Sequence, residues 1–464
     1  MYEINFKHPI HVFFIGIGGI SMSGLAEILL QEGFRISGSD MKRSNLTASL
    51  AEKGATVHYG HHRENLSKDI DLVVYTSAIH SDNPEYVEMT ERNIPSLTRA
   101  QLLGQIMKNY QTPIAISGTH GKTSTTSMVS QILLAADTDP TLSIGGILKS
   151  IQGNIRVGSS EYFVTEACEY TNSFLSFFPK ISIILNIEAD HLDYFKDISE
   201  IRASFRSFAA LLPPDGTLII NGDIEHVEEI TSDLNCRVIT YGSLPQFDYS
   251  PVDITYDELA RATFSVRQNA PGSPRLPKRT FKLGTPGEHN VYNALAAIVL
   301  ADLLQIDTDI IDQALASFGG TDRRFEYKGS LHNISIIDDY AHHPTEITAT
   351  LKTAQNYPHN KIWCVFQPHT YTRTKAFLSD FANALSLADH VILTDIYAAR
   401  EQNTLGIHSS DLQAAIEDLG TECYYFSNFD EIENFILQNC AAGDLLITMG
   451  AGDVVKVGEN LLAY

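Results

Sequence analysis

An apolar run at residues 114–117 leads directly into Gly118-Thr119-His120-Gly121-Lys122-Thr123-Ser124, and a helix-like stretch follows over 123–136. Strand, glycine-rich turn and helix in that order admit few folds, because the turn must deliver backbone N–H groups at a helix N-terminus. Such a loop can cradle phosphates, with Lys122 reaching the β/γ-phosphates and the Thr123 hydroxyl free to bind Mg²⁺. It departs from the usual eight-residue pattern, since Ile116 stands where the first glycine would be. The bland alternative is a glycine turn that carries Lys-Thr by chance.

The same alternation runs on both sides. Upstream, strand-like runs at 11–15, 34–37, 56–59 and 71–75 enclose helix-like stretches at 21–32 and 46–53. Downstream, strand-like runs at 162–165, 181–187 and 217–220 precede a segment, 243–280, that reads as an antiparallel excursion or a long surface insert. An amphipathic helix over 287–304 and a Gly319-Gly320 break follow. Alternation then restarts, with strands at 335–338, 362–367, 390–394, 422–426 and 444–449, and helices at 344–355 and 374–388. Repeated βα units imply parallel sheets covered by helices. With 464 residues the prior is about three domains, placed at 1–105, 106–320 and 321–464.

Charge narrows the partners. Thirty-three Lys+Arg against 56 Asp+Glu give a net charge of −23, a field that repels nucleic acid. An anionic small substrate must therefore be met by local cations. No apolar run reaches 18 residues, so no membrane span is expected, and the N-terminal residues lack a signal-peptide layout. Five scattered cysteines without CxxC spacing suit free thiols in a reducing cytoplasm.

Other motifs sit where strands end. Gly16-Ile17-Gly18-Gly19-Ile20-Ser21 follows the first strand, and Asp40 closes the next, placed to meet a ribose. By itself that is a nucleotide-type or nicotinamide-dinucleotide site, or a turn without function. Glu166 and His191 follow later strands and could hold a second divalent cation beside Lys122. His289 and Asn293, four apart on one helix face, could read an adenine ring or simply open the helix. Arg323-Arg324-Phe325 follows the glycine pair. Asp338-Asp339-Tyr340-Ala341-His342-His343 and Gln367-Pro368-His369-Thr370-Tyr371-Thr372-Arg373 end strands in bursts of polar groups too dense for ordinary turns.

Taken in order, Gly-Thr-His-Gly-Lys-Thr, Asn-Ile-Glu-Ala-Asp-His-Leu-Asp (186–193), His-Asn-Val-Tyr-Asn, Arg-Arg-Phe and Asp-Asp-Tyr-Ala-His-His-Pro resemble the Mur ligases of peptidoglycan synthesis over essentially the whole chain. The opening glycine loop, Glu-Ala-Cys-Glu-Tyr (166–170) and Phe-Gln-Pro-His (366–369) point to the branch acting on UDP-N-acetylmuramate and L-alanine. The resemblance implies an α/β fold in three domains: a Rossmann-like N-terminal domain for the UDP-sugar, a central P-loop ATPase domain, and a Rossmann-like C-terminal domain. It implies ATP and Mg²⁺ as cofactors, a cytoplasmic setting, and a monomer or homodimer.

The resemblance also implies roles. Gly118, Thr119, His120, Gly121, Lys122, Thr123 and Ser124 face ATP, with Lys122 on the γ-phosphate. Thr123, Glu166 and His191 hold magnesium. His289 and Asn293 match the adenine side, and Arg324 and Asp339 match a clamp that closes from the C-terminal domain. Tyr340, His342, His369 and Arg373 match the region of the acyl group and alanine, with His342 or His369 a candidate to deprotonate the amine. Gly16, Gly18, Gly19, Asp40, His61, Ser77 and Arg99 match the UDP-sugar side. Two departures stand out. Residues 201–206 lack the lysine that later-acting relatives carbamylate, and Thr370 replaces an arginine common in this branch. The rivals are a recycling ligase adding a murein tripeptide to the same sugar, an NAD-dependent dehydrogenase and a nucleotide sensor.

Overall fold

Three sheets follow one another along the chain. The computed structural model describes residues 2–76, 78–269, 280–399 and 401–463. The first sheet is all parallel, in the order Thr56–Tyr59, Arg35–Asp40, His11–Ile15, Leu72–Tyr75, Ser96–Thr98. His11–Ile15 is fully buried, as a central parallel strand covered on both faces must be.

Among the described residues the central sheet has ten strands. Its parallel part runs Arg237–Tyr241, Thr217–Asn221, Ile181–Ile184, Thr112–Ser117, Tyr162–Ala167, Thr141–Leu148. Both edges are extended, one by an antiparallel strand and the other by a strand that pairs in parallel with Arg237–Tyr241 at Tyr249 and then continues into antiparallel pairs. Gly153–Arg156 adds to one, while Tyr249–Tyr256, Arg261–Gln268 and Thr280–Pro286 extend the other. The excursion expected over 243–280 is thus a meander on the sheet edge, apart from residues 270–279, which lie outside the described residues. The helix His289–Leu303 is apolar almost all round and fills the core beneath it.

The third sheet runs Glu326–Leu331, Ile334–Asp339, Leu445–Met449, Ile362–Phe366, His390–Leu393, Glu422–Tyr425, antiparallel only at its first pair. One expectation fails here. The helix read over 374–388 is two helices, Tyr371–Ala376 and Leu378–Leu385, broken at Phe377 (φ −114°, ψ 26°). Phe377 leaves the helical path and packs its ring 5.0 Å from His343. A tertiary contact overrides the helical periodicity there.

These sheets place the site. In each parallel sheet the strand C-termini open on one crevice. Thr112–Ser117, Ile181–Ile184 and Tyr162–Ala167 end beside one another, so the loops that follow converge. Ile334–Asp339 and Ile362–Phe366 flank Leu445–Met449 in the third sheet, and their loops face the same crevice from the other side.

Candidate active site

The phosphate-loop geometry is built by two glycines. Gly118 adopts φ +147° and Gly121 φ +80°. A Cβ on Gly118 would lie 2.9 Å from that of Leu185, and one on Gly121 2.6 Å from Asn293 Oδ1. Any other residue would strain the backbone and push into fixed neighbours. Asn186 ties the loop to the next strand: its Oδ1 accepts from His120 N (2.7 Å), and its amide donates to His120 O (3.0 Å).

Lys122 opens the helix Lys122–Ala135, and its ammonium turns back over the loop. It donates to the carbonyls of Gly118 and Thr119 and to Glu169 Oε2 at 3.1 Å. Burial alone would push it towards neutrality. Attraction from Glu169 outweighs that, so the ammonium is held above its ordinary range. Thr123 Oγ1 donates to Glu166 Oε2 at 3.1 Å, and Glu166 Oε1 accepts from Gly145 N at 2.6 Å. Glu166 sits within the strand Tyr162–Ala167 rather than just past it. Burial raises its pKa. His191, at φ +52°, places Nε2 3.9 Å from Glu169 and 3.8 Å from Asp190. Lys122, Thr123, Glu166 and His191 therefore surround one acidic pocket, completed by Glu169.

A cavity of about 340 Å³ lies between the central and C-terminal lobes. His120, Gly121, Ser124, His289 and Asn293 line it from one side, Arg324 and Asp339 from the other. His289 is pushed down to about 4 by burial and by Arg324, so it is a neutral ring at ordinary pH. Asp339 has a structural duty as well. Its oxygens accept from Ala341 N (2.7 Å), Phe325 N (2.9 Å) and Thr350 Oγ1 (3.2 Å), fixing the turn that presents Arg324. Burial raises its pKa to about 6. Tyr340 lies under both arginines, 4.9 Å from Arg323 and 5.2 Å from Arg324.

A second cavity, about 540 Å³, is lined by Tyr170, His191, His369, Thr370 and Arg373. Arg373 binds Asp190 Oδ1 through NH2 (2.9 Å) and touches His369 Nδ1 (3.1 Å). His342 lies 5.6 Å from His369, ring to ring. Burial drives both imidazoles down to about 4, with Arg373 adding to the effect. Thr370, where an arginine was expected, adopts φ +66° and ψ 145°, and its hydroxyl accepts from Arg373 N. It caps the short helix that carries Arg373, so one arginine is positioned in place of two.

The N-terminal candidates are only partly assembled. Asp40 Oδ2 accepts from Gly18 N at 2.9 Å, bracing the Gly16–Gly19 turn. His61 Nδ1 lies 2.8 Å from Glu85. Arg99 donates to Ser21 Oγ at 3.0 Å, and its side chain reaches the neighbourhood of Cys168 in the central lobe. Gly19 starts the helix Ile20–Gln31. Ser77 lies outside the described residues.

Four groups escaped the sequence reading: Glu169, Glu188, Asp190 and Glu346. The first three fall inside motifs already quoted, and a dense run of acids at strand ends was the available signal. Glu346 looked like an ordinary acid in a helix first turn. His120, Glu188 and His343 bring three donor atoms within 4.8 Å. However, His343 Nδ1 accepts from Thr345 N and its Nε2 faces Ala189 O, so the trio is engaged as a contact between lobes.

Comparison with known proteins gives the family. The chain matches the models for the Mur ligase family catalytic domain (residues 11–111), the Mur ligase middle domain (116–301) and the Mur ligase glutamate ligase domain (323–452). It is 60% identical to a UDP-N-acetylmuramate–L-alanine ligase of Agathobacter rectalis, over 100% of both chains. Among solved structures it resembles the UDP-N-acetylmuramate-alanine ligase MurC of Thermotoga maritima, at 31% identity, TM-score 0.79 and 98% coverage of each chain. A murein peptide ligase of Psychrobacter arcticus aligns at 25% identity and TM-score 0.69, also over 98% of each.

Proposed function

The chain belongs to the Mur ligase family, and from that membership we propose that it joins L-alanine to the lactyl carboxylate of UDP-N-acetylmuramate, with ATP consumed, in peptidoglycan precursor synthesis. The observation that carries the substrate choice is 60% identity over the full length to an alanine ligase, against 25% to a murein peptide ligase.

The chemistry follows from the groups in the crevice. A carboxylate is a poor acyl donor, because its leaving group would be oxide. Transfer of the terminal phosphoryl of ATP releases ADP and yields an acyl phosphate. The neutral amine of alanine then attacks, a tetrahedral intermediate forms, nitrogen gives up one proton, and phosphate departs with the C–O electron pair and carries that proton away. Two anions must meet in an acidic protein, and Lys122 and Arg324 offset that repulsion locally. Thr123 and Glu166 offer hard oxygen donors suited to Mg²⁺, and His191, beside Glu169, would help hold a second. When bound there, the metal would neutralise phosphate charge. His342 and His369, with pKa values near 4, are too weakly basic to strip an ammonium; they suit accepting a hydrogen bond from the amine once it is neutral. Arg373 would meet a carboxylate. Water must be kept from the acyl phosphate, which suits a site that closes between lobes.

No helix among the described residues is long and apolar enough to cross a membrane, and the five cysteines are free. A cytoplasmic setting, where ATP is available, is part of the proposal. The test is phosphate release with ATP and UDP-N-acetylmuramate, screened across amino acids and the tripeptide. L-Alanine is expected to lead, and Lys122→Ala to abolish turnover in a folded protein. Preference for the tripeptide, or ATP use that needs no sugar, would sink the reading.

A further inference from the structure

Glu346 sits in the first turn of the helix Pro344–Gln355, on the C-terminal lobe, yet it faces the phosphate loop of the central lobe. Its carboxylate is 13% exposed and gathers groups from both lobes. Oε1 lies 3.2 Å from His120 Nδ1 and 3.8 Å from Arg324 NH1. Oε2 accepts from the His342 backbone N–H at 3.1 Å and lies 3.4 Å from His342 Nδ1. A helix N-terminus alone would favour an acid there, but an ordinary first-turn acid stays in water. This one is withdrawn from water and surrounded by the loop histidine, the clamp arginine and a histidine of the acyl region.

The neighbouring contacts share a simpler task. Thr345 Oγ1 donates to Glu188 Oε2 at 2.6 Å, His343 Nε2 lies 3.1 Å from Ala189 O, and Arg373 binds Asp190. All three grip the 186–193 loop. Glu346, by contrast, reaches the phosphate loop itself through His120, and the same oxygen faces Arg324. One carboxylate thus spans the distance between loop and clamp that a triphosphate would also span.

We propose that Glu346 is a positioning residue for the ligase reaction: it docks the C-terminal lobe on the phosphate loop and holds His120 and Arg324 where the triphosphate meets them. The inference rests on the ligase reading above and adds how its two halves are registered. Its negative charge does not favour nucleotide binding, so its loss should spare ATP affinity and impair the closed, reacting state.

The experiment takes the full-length enzyme with ATP, UDP-N-acetylmuramate and L-alanine, and compares wild type with Glu346→Gln, His120→Gln, the double variant and Glu346→Asp. We expect Glu346→Gln to lower kcat at least tenfold while KM for ATP moves less than threefold, with Glu346→Asp recovering part of kcat. The double variant should lose less than the two single losses combined, because the two substitutions share the His120–Glu346 contact. Small-angle scattering should show Glu346→Gln as more expanded than wild type under identical conditions. Should Glu346→Gln fail to fold, Glu346→Asp, which keeps the charge and shortens the reach to His120, carries the same kcat-against-KM test. A kcat within twofold of wild type, a loss carried by KM for ATP, or additive effects of the two substitutions would overturn the proposal. Wild type inactive with L-alanine would instead overturn the ligase reading, and the scattering comparison would still stand.

Discussion

The two seams of this molecule are built from different materials. Where the N-terminal lobe meets the central one, Leu103 and Met107 join Phe174, Phe177 and Phe205 in one continuous buried cluster. Glycines let the backbones close in: a Cβ on Gly104 would lie 1.9 Å from Ser176 O, and one on Gly24 2.2 Å from Ile155. Where the C-terminal lobe meets the central one, the contacts are ion pairs and hydrogen bonds through Arg373, Glu346, His343 and Thr345. An apolar seam cannot be parted without exposing a core, whereas polar contacts can be exchanged for water or ligand. The first seam suits a lobe that carries one substrate at a fixed place. The second suits a lobe that parts and closes again.

The contrast is broken most directly at Arg373. Both it and Asp190 are 9% exposed, so Arg373→Ala takes from Asp190 its guanidinium partner and leaves it only His191, a loss of up to about 3–5 kcal/mol from the closed state. We expect turnover to collapse while the unfolding of the first two lobes is unchanged in calorimetry. A uniform drop in all unfolding transitions would show that the second seam is as structural as the first. Next in size is Gly104→Ala. Alanine would favour the helix by up to about 1 kcal/mol, but its Cβ meets a backbone oxygen that cannot step aside, at about 1–3 kcal/mol or more. Net destabilisation should appear as a lowered Tm of the joined lobes. An unchanged or raised Tm would mean that the first seam has slack.

Much of this was legible beforehand, for reasons that differ by region. The parallel strands and the phosphate loop announce themselves through local apolar runs and glycines at forced φ angles, as at Gly118 and Gly121. The helix Pro344–Gln355 is legible at its start because proline suits a first helical turn, while its cap by the His343 side chain needed the structure. Phe377 was not legible, since its break comes from a ring contact with His343, remote in sequence. Glu346 was hidden for a similar reason: its neighbours His120 and Arg324 come from separate parts of the chain, and a first-turn glutamate alone announces nothing. Thr370 could be flagged as a departure, but its capping of Arg373 required the backbone geometry.

Acidity offers a third handle, on the second seam only. His120 faces Glu188, Glu346 and His343, and against the opposing effect of burial the two carboxylates raise its pKa from 6.5 to about 9. The folded form thus binds more protons than the unfolded one between those values. Its contribution is fully present below about pH 6.5 and is lost as pH rises through 9. His342 and His369 act in the opposite sense. Held near 4, they bind fewer protons when folded, so their contribution falls as pH drops from 6.5 towards 4. Each contributes at most about 1.4 kcal/mol per pH unit. Scattering across pH should find the lobes most closely docked near pH 6.5 and looser on either side, towards 9 as His120 loses its proton and towards 4 as His342 and His369 gain theirs, and melting of the first seam should not follow that profile. A radius of gyration flat from pH 5 to 10 would separate the histidines from docking.

The smallest effect is expected at Thr345, and it tests the contrast most finely. Thr345→Val keeps the shape and the β-branch in the first turn of its helix, so helix stability should barely change. What it removes is the hydroxyl that donates to Glu188 across the second seam, at an exposed position. A hydrogen bond to a charged group in that setting contributes on the order of 1 kcal/mol. If the second seam opens and closes independently, that energy enters only the closing equilibrium, and about 1 kcal/mol is a five-fold shift towards the open form. The expected result is a kcat reduced up to about five-fold, an unchanged Kd for UDP-N-acetylmuramate and an unchanged Tm. A Tm lowered by several degrees with kcat intact would place Thr345 in the permanent structure, and the two seams would then differ in composition but not in mobility.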